Sequence, residues 1–259
     1  MGWNPLATQF CLELAFGVLL AMAFVPRAPV GVLFYRIMGT TALLPILVAV
    51  VAPPAVGQVP WLNAISGAGL VAALAYPVYS GPVRGRGWAA GLALGLLGTG
   101  FGLVFSLHRS LSEPGALLVS SLSALATGTV AGSVGLAMVL GHWYLTVPNL
   151  QVRHLQRLNR VTVASMLASL LILGLICLLF AERLNDGDRP LLGPTGLFYL
   201  GTRVVVGLFL PLLFAGMAAS SLRYQNTRSA TGILYASTVL VLIGTAVSIS
   251  LQDAYGFPL

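Results

Sequence analysis

Eight long stretches of this sequence are almost free of charge, and the short gaps between them hold nearly every Arg, Asp and Glu. They run approximately over residues 7–25, 37–56, 62–80, 88–107, 115–141, 161–181, 196–221 and 229–251. About 20 apolar residues in a helix, at ~1.5 Å each, cross the roughly 30 Å of bilayer hydrocarbon. A backbone in lipid must satisfy its own hydrogen bonds, which leaves helices or closed barrels. The stretches are too long for barrel strands and lack strict alternation. The expected fold is therefore an all-α integral membrane protein. It is a single transmembrane domain over 1–259, a polytopic bundle of about eight helices with no soluble domain. Composition agrees: 58% of residues are apolar and 7% charged, where a soluble domain carries about 25% charge.

The gaps predict orientation. Odd-numbered gaps carry Arg27 and Arg36, then Arg84 and Arg86, then Arg153, Arg157 and Arg160, then Arg223 and Arg228. Even-numbered gaps carry no Arg over 53–61, then Arg109 offset by Glu113, then Arg183 and Arg189 among Glu182, Asp186 and Asp188. Basic residues stay on the cytoplasmic side, so the odd gaps are cytoplasmic and both termini face outside. Residues Met1–Thr8 lack a positive side chain, so the first apolar run is expected to be retained rather than cleaved as a signal peptide. The net charge of +7 is spread singly and in pairs through the gaps, which argues for topology and against nucleic acid. A bacterial-type inner membrane is the expected location. The gap before span six, with Leu150, Leu155 and Leu158 between arginines, predicts a short interfacial helix.

Two charges fall inside spans. Glu13 lies about six residues into span one and Arg203 about seven into span seven, roughly 9–10 Å below the outer surface at ~1.5 Å per residue. An isolated charge there costs about 2–3 kcal/mol or more, so the two are expected to pair. The pair either fastens span one to span seven or marks a proton or ligand site. Gln9 and Tyr199 lie one turn above them, and His108 ends span four at the same side. Carboxylate, guanidinium, phenol and imidazole at one level suit a quinone head group, which needs hydrogen bonds at two oxygens and nearby acid/base groups. At the inner level, Arg36 opens span two, His142 closes span five and Tyr235 enters span eight. These are candidates for a second site or a haem ligand, or else members of an interfacial belt. The three histidines, His108, His142 and His154, are not placed to hold one haem b within the chain, so haem requires a ligand from a partner. No metal-ligand spacing, nucleophile elbow or phosphate loop is present in the sequence. Gly91 with Gly95, and Gly128 with Gly132, form close-approach faces for span four on span five or for another subunit.

With so little mass outside the bilayer, the expected function is that of a membrane subunit of an electron-transfer or respiratory-type complex. It would anchor redox partners and bind quinone near the outer face, and it would not be catalytic alone. In span count and topology it is similar to some quinol-oxidising anchor subunits of molybdenum oxidoreductases. The alternatives are a small secondary transporter or channel, and a structural or assembly protein.

Overall fold

The computed structural model describes residues 3–25, 31–51, 86–108, 113–147, 150–186 and 189–259. Among these every regular element is helical. In chain order they are α1 (Trp3–Ala23), α2 (Gly31–Val51), α3 (Arg86–His108), α4 (Pro114–Thr146), α5 (Arg153–Leu179), the short α6 (Ala181–Asn185), α7 (Pro194–Gly201), a π-helical segment (Thr202–Phe209), α8 (Leu210–Arg223) and α9 (Thr227–Tyr255). Among the described residues six helices are long and apolar enough to cross a membrane, the fifth counted continuously from Pro194 to Arg223. The apolar part of α2, Leu33–Val48, is shorter, and the expected span 62–80 lies outside the described residues.

Two expectations are corrected. The second helix starts at Gly31 rather than 37, so Arg36 is in its second turn with an exposed side chain. A long arginine stem can keep its charge in the headgroup layer while the backbone remains helical. Span seven, expected as one apolar helix, contains π-helical turns. The short interfacial helix expected to lead into span six forms the first turns of α5, which runs on from Arg153.

Large polar side chains are buried within a mainly apolar interior, and large apolar side chains face outward. Gln9, Glu13, Thr127, Ser169, Arg203 and Gln252 are buried, while Leu171, Leu178, Leu97 and Phe198 are at least 70% exposed. Leucine and phenylalanine facing outward at that density suit lipid. The chain is thus a multi-pass membrane protein by the length and surface of its helices.

α4 is central, packing on α1, α5 and α9. α1 and α4 begin at one end of the bundle, the near end, where α9 finishes. The far end holds the α1–α2 turn, where the Tyr35 hydroxyl donates to Val25 O, and the start of α5, where Arg157 lies 5.9 Å over the Phe24 ring. The α1–α4 contact is set by glycine. A Cβ on Gly17 would come 1.7 Å from Gly128 O, and one on Gly132 would come 1.9 Å from Gly17 C. Backbones can approach this closely only with no side chain between them. Gly128 and Gly132 therefore receive α1, a helix far away in sequence. Gly91 and Gly95 are buried on α3.

Pro211 explains part of the π segment. It has no N–H to return to the preceding turn, and its ring would strike the carbonyl of residue 207 in a regular helix. The turn ahead of it widens instead, with Leu210 N donating to Val205 O, five residues back. Gly207 meets Gly244 of α9 backbone to backbone: a Cβ on Gly244 would stand 2.3 Å from Gly207 Cα. The buried positions of this stretch are Arg203, Gly207, Leu208, Pro211 and Ala215. After α9 the chain turns at Gly256 (φ 80°) and tucks Phe257, Pro258 and Leu259 into the bundle.

Candidate functional site

Arg203 is the largest fully buried side chain, at 1% exposure. Its Nε donates to Leu259 O at 3.0 Å, and its Nη2 donates to Thr127 Oγ1 at 2.7 Å and Ser169 Oγ at 3.2 Å. Four parts of the chain thus meet around one guanidinium: the π segment, α4, α5 and the segment after α9. Glycine makes the room, since Nη1 lies 3.4 Å from where a Cβ on Gly244 would be.

Glu13 is buried to the same degree, 1% exposed. Its backbone lies against Gly128, one residue from Thr127, which puts it at the level of Arg203. The expected direct ion pair is not formed. Oε1 accepts from Gln9 Nε2 at 2.8 Å, and Oε2 has no hydrogen-bond partner among the described residues. Coulombic attraction still couples the two charges. Three of the five N–H donors of the guanidinium go instead to hydroxyl and carbonyl acceptors on three other elements.

Gln9 and Gln252 extend the network toward the near end. Gln9 Nε2 donates to Gln252 Oε1 at 2.5 Å, and Gln252 Nε2 returns a bond to Gln9 Oε1 at 2.7 Å. The reciprocal amide pair locks α1 to α9. Replacing Gln252 with Leu strands the buried Gln9 amide and is expected to cost about 1–3 kcal/mol. The Gln9→Leu/Gln252→Leu double variant should lose less than the sum of the singles, because neither amide is then left alone. Thermal unfolding of the four proteins in lipid nanodiscs measures this, and strict additivity would refute the pairing.

A cavity of about 460 Å³ opens beside this pair at the near end. Its wall includes Leu6, Arg189, Tyr199, Ser250, Asp253 and Tyr255. Leu251 and Asp253, both in the wall, flank Gln252 in sequence. Phenol, guanidinium, hydroxyl and carboxylate groups line it together with leucine and proline.

Among the residues singled out by sequence, Glu13, Arg203 and Gln9 come together, and Tyr199 lines the neighbouring cavity. The His108 side chain lies outside the described residues. At the far end, Tyr235 Oη and His142 Nδ1 are 3.3 Å apart. Arg36 stands exposed on α2. No group of three or more His, Cys, Asp and Glu side chains suited to a metal occurs among the described residues. Sequence reasoning missed Thr127, Ser169 and Leu259 as the partners of Arg203, and Arg189 as a cavity residue. Thr127 and Ser169 are each one of several hydroxyls in their spans, so neither stood out. Compared with known proteins, the chain matches no family model, no curated protein and no solved structure.

Proposed function

We propose that this chain is the membrane subunit of an electron-transfer complex of respiratory type, anchoring partner polypeptides and holding a quinone-type head group in the near-end cavity. One observation carries the reading: the cavity wall is tied to a buried carboxylate. Leu251 and Asp253 of the wall flank Gln252, which bonds Gln9, which bonds Glu13. A charge change at the head group is therefore felt at Glu13 through a short, rigid set of hydrogen bonds in a low dielectric. Tyr199 and Arg189 supply donors for the ring oxygens, and the Asp253 carboxylate is an acceptor in the same wall. Electrons would leave to a redox centre on a partner chain. A haem, if present, would use His142 or His154 with a ligand from that partner.

Arg153, Arg157, Arg160, Arg223 and Arg228 gather at the far end. On the positive-inside tendency that end faces the cytoplasm of a bacterial-type inner membrane, and the near end faces outward with both termini. Span 62–80 would complete eight crossings.

Purification with native lipid should bring redox subunits and extractable quinone with the chain. Tyr199→Phe should lower the quinone content while Leu171→Ala, on the lipid face, leaves it unchanged. A homogeneous, colourless chain free of quinone would end this reading.

The π-helical segment favours a second one. Irregular helix around a buried charge is a feature of secondary transporters, whose broken helices bind substrate inside the bundle. Solute uptake by liposomes containing the purified chain alone would select it.

A further inference from the structure

Along α5 every exposed residue from Arg153 to Leu178 falls on one stripe, spaced three or four apart. The stripe opens with Arg153, Arg157 and Arg160, passes Ala164 and continues in leucine as far as Leu178. Such spacing keeps to one side of a helix with about 3.6 residues per turn. The opposite side is the packed one, where Leu155, Leu158, Thr162, Met166 and Ser169 are buried. The stripe therefore faces away from the bundle, and its chemistry changes once. From Arg160 to Leu178 the helix rises about 27 Å at ~1.5 Å per residue, close to the ~30 Å of bilayer hydrocarbon. Three guanidiniums thus stand at headgroup level, directly in line with leucines at the level of the acyl chains.

Among the described residues no carboxylate pairs with these three arginines. The sequence has six Asp and Glu. Glu13 is buried in α1. Glu113 at the start of α4, Glu182 and Asp186 at α6 and Asp253 in the last turn of α9 belong to the near end. Asp188 lies outside the described residues. Arg157 lies 5.9 Å over the Phe24 ring, a contact through the ring face that uses none of its N–H groups as hydrogen-bond donors. Gln156 Nε2 donates to Leu222 O at 3.4 Å, which brings the end of α8, and with it the exposed Arg223, beside the same turns. Positive charge is therefore concentrated at one level of one outward face, above an apolar wall.

We propose that the outward face of α5 is a binding site for an anionic phospholipid. The phosphodiester sits among Arg153, Arg157 and Arg160 and accepts charge-assisted hydrogen bonds from them. An acyl chain lies along Leu167, Leu171 and Leu175, each exposed on the same stripe. A zwitterionic lipid binds less well there, because its headgroup brings a cation of its own. Free phosphate lacks the chain that covers the leucines, and a water-soluble acidic protein does not reach them at acyl-chain depth. The headgroup site is at the opposite end of the bundle from the cavity assigned to the quinone head group, and it does not depend on that cavity.

The test is native mass spectrometry of the full chain in a neutral detergent, titrated with phosphatidylglycerol or with phosphatidylcholine of the same acyl length. The unmodified chain should bind phosphatidylglycerol the more tightly. Basic side chains near a membrane surface contribute roughly fivefold in affinity each, so Arg153→Gln/Arg157→Gln/Arg160→Gln should weaken phosphatidylglycerol by about a hundredfold. All three side chains are exposed, so the triple variant keeps its fold, which thermal unfolding checks. Arg183→Gln, at the near end, should change nothing. Excess glycerol 3-phosphate, the headgroup chemistry without acyl chains, should not displace the lipid. Equal binding of the two lipids by the unmodified chain would mean that α5 has no anionic lipid site, the result expected of a face kept for an acidic protein. Undiminished phosphatidylglycerol binding by the triple variant would remove the site from α5. Displacement by glycerol 3-phosphate would reduce it to a phosphate site.

Discussion

Gly17→Ala is expected to cost about 3 kcal/mol, the upper part of the range for overpacked cores. The added Cβ would sit 1.7 Å from Gly128 O and 2.5 Å from Gly128 C, both backbone atoms. A side chain could rotate out of the way, but a backbone carbonyl cannot, so α1 and α4 must separate. That movement also displaces Glu13, whose own carbonyl would be 2.4 Å from a Cβ on Gly128. Gly135→Ala is the matched control. Nothing lies within 4 Å of its Cβ, and alanine favours helix over glycine by about 1 kcal/mol. Thermal unfolding in nanodiscs should show a large loss for the first variant and none, or a small gain, for the second. Equal effects would mean that the α1–α4 contact is looser than described.

Arg203→Ala is expected to cost about 3–5 kcal/mol, the range for removing one partner of a buried charged network. The loss has three sources. Leu259 O, Thr127 and Ser169 lose their donor. The volume of the largest fully buried side chain becomes a void. Glu13 loses the cation that stabilises its charge from a distance. The third source makes a specific forecast: Glu13→Gln, which removes the charge, should cost less in the Arg203→Ala background than alone. Arg203→Lys should rescue poorly, because an ammonium lacks the planar fork that reaches separate acceptors on separate elements. Unfolding of the single and double variants gives the coupling energy. A mild loss with no coupling would reduce Arg203 to a packing residue.

The two variants probe one arrangement from opposite sides, since glycine contacts allow the helices to close and the arginine joins four parts of the chain once they have. Loss of either should therefore loosen the near end and the cavity beside it. The surface ion pair there, Arg183 with Glu113 at 3.8 Å and with side chains 49% and 64% exposed, offers little to compensate.

Local chemistry was enough to read the all-helical multi-pass character from the chain. Run length against bilayer thickness and the confinement of charge to gaps are properties of neighbouring residues, so they survive without a fold. Depth was legible for the same reason: counting residues from a span's edge put Glu13 and Arg203 at one level. The start of the second helix was misread at Arg36, because composition does not say whether an arginine ends a helix or extends from it to the surface. What no count along the chain can supply is azimuth and partner. Which face of each helix turns inward, and against which other helix, is set by contacts between residues distant in sequence. That is why only the tertiary structure seats Gly128 on α1, gives Arg203 to Thr127, Ser169 and Leu259 instead of to Glu13, and leaves Glu13 Oε2 without a hydrogen-bond partner among the described residues.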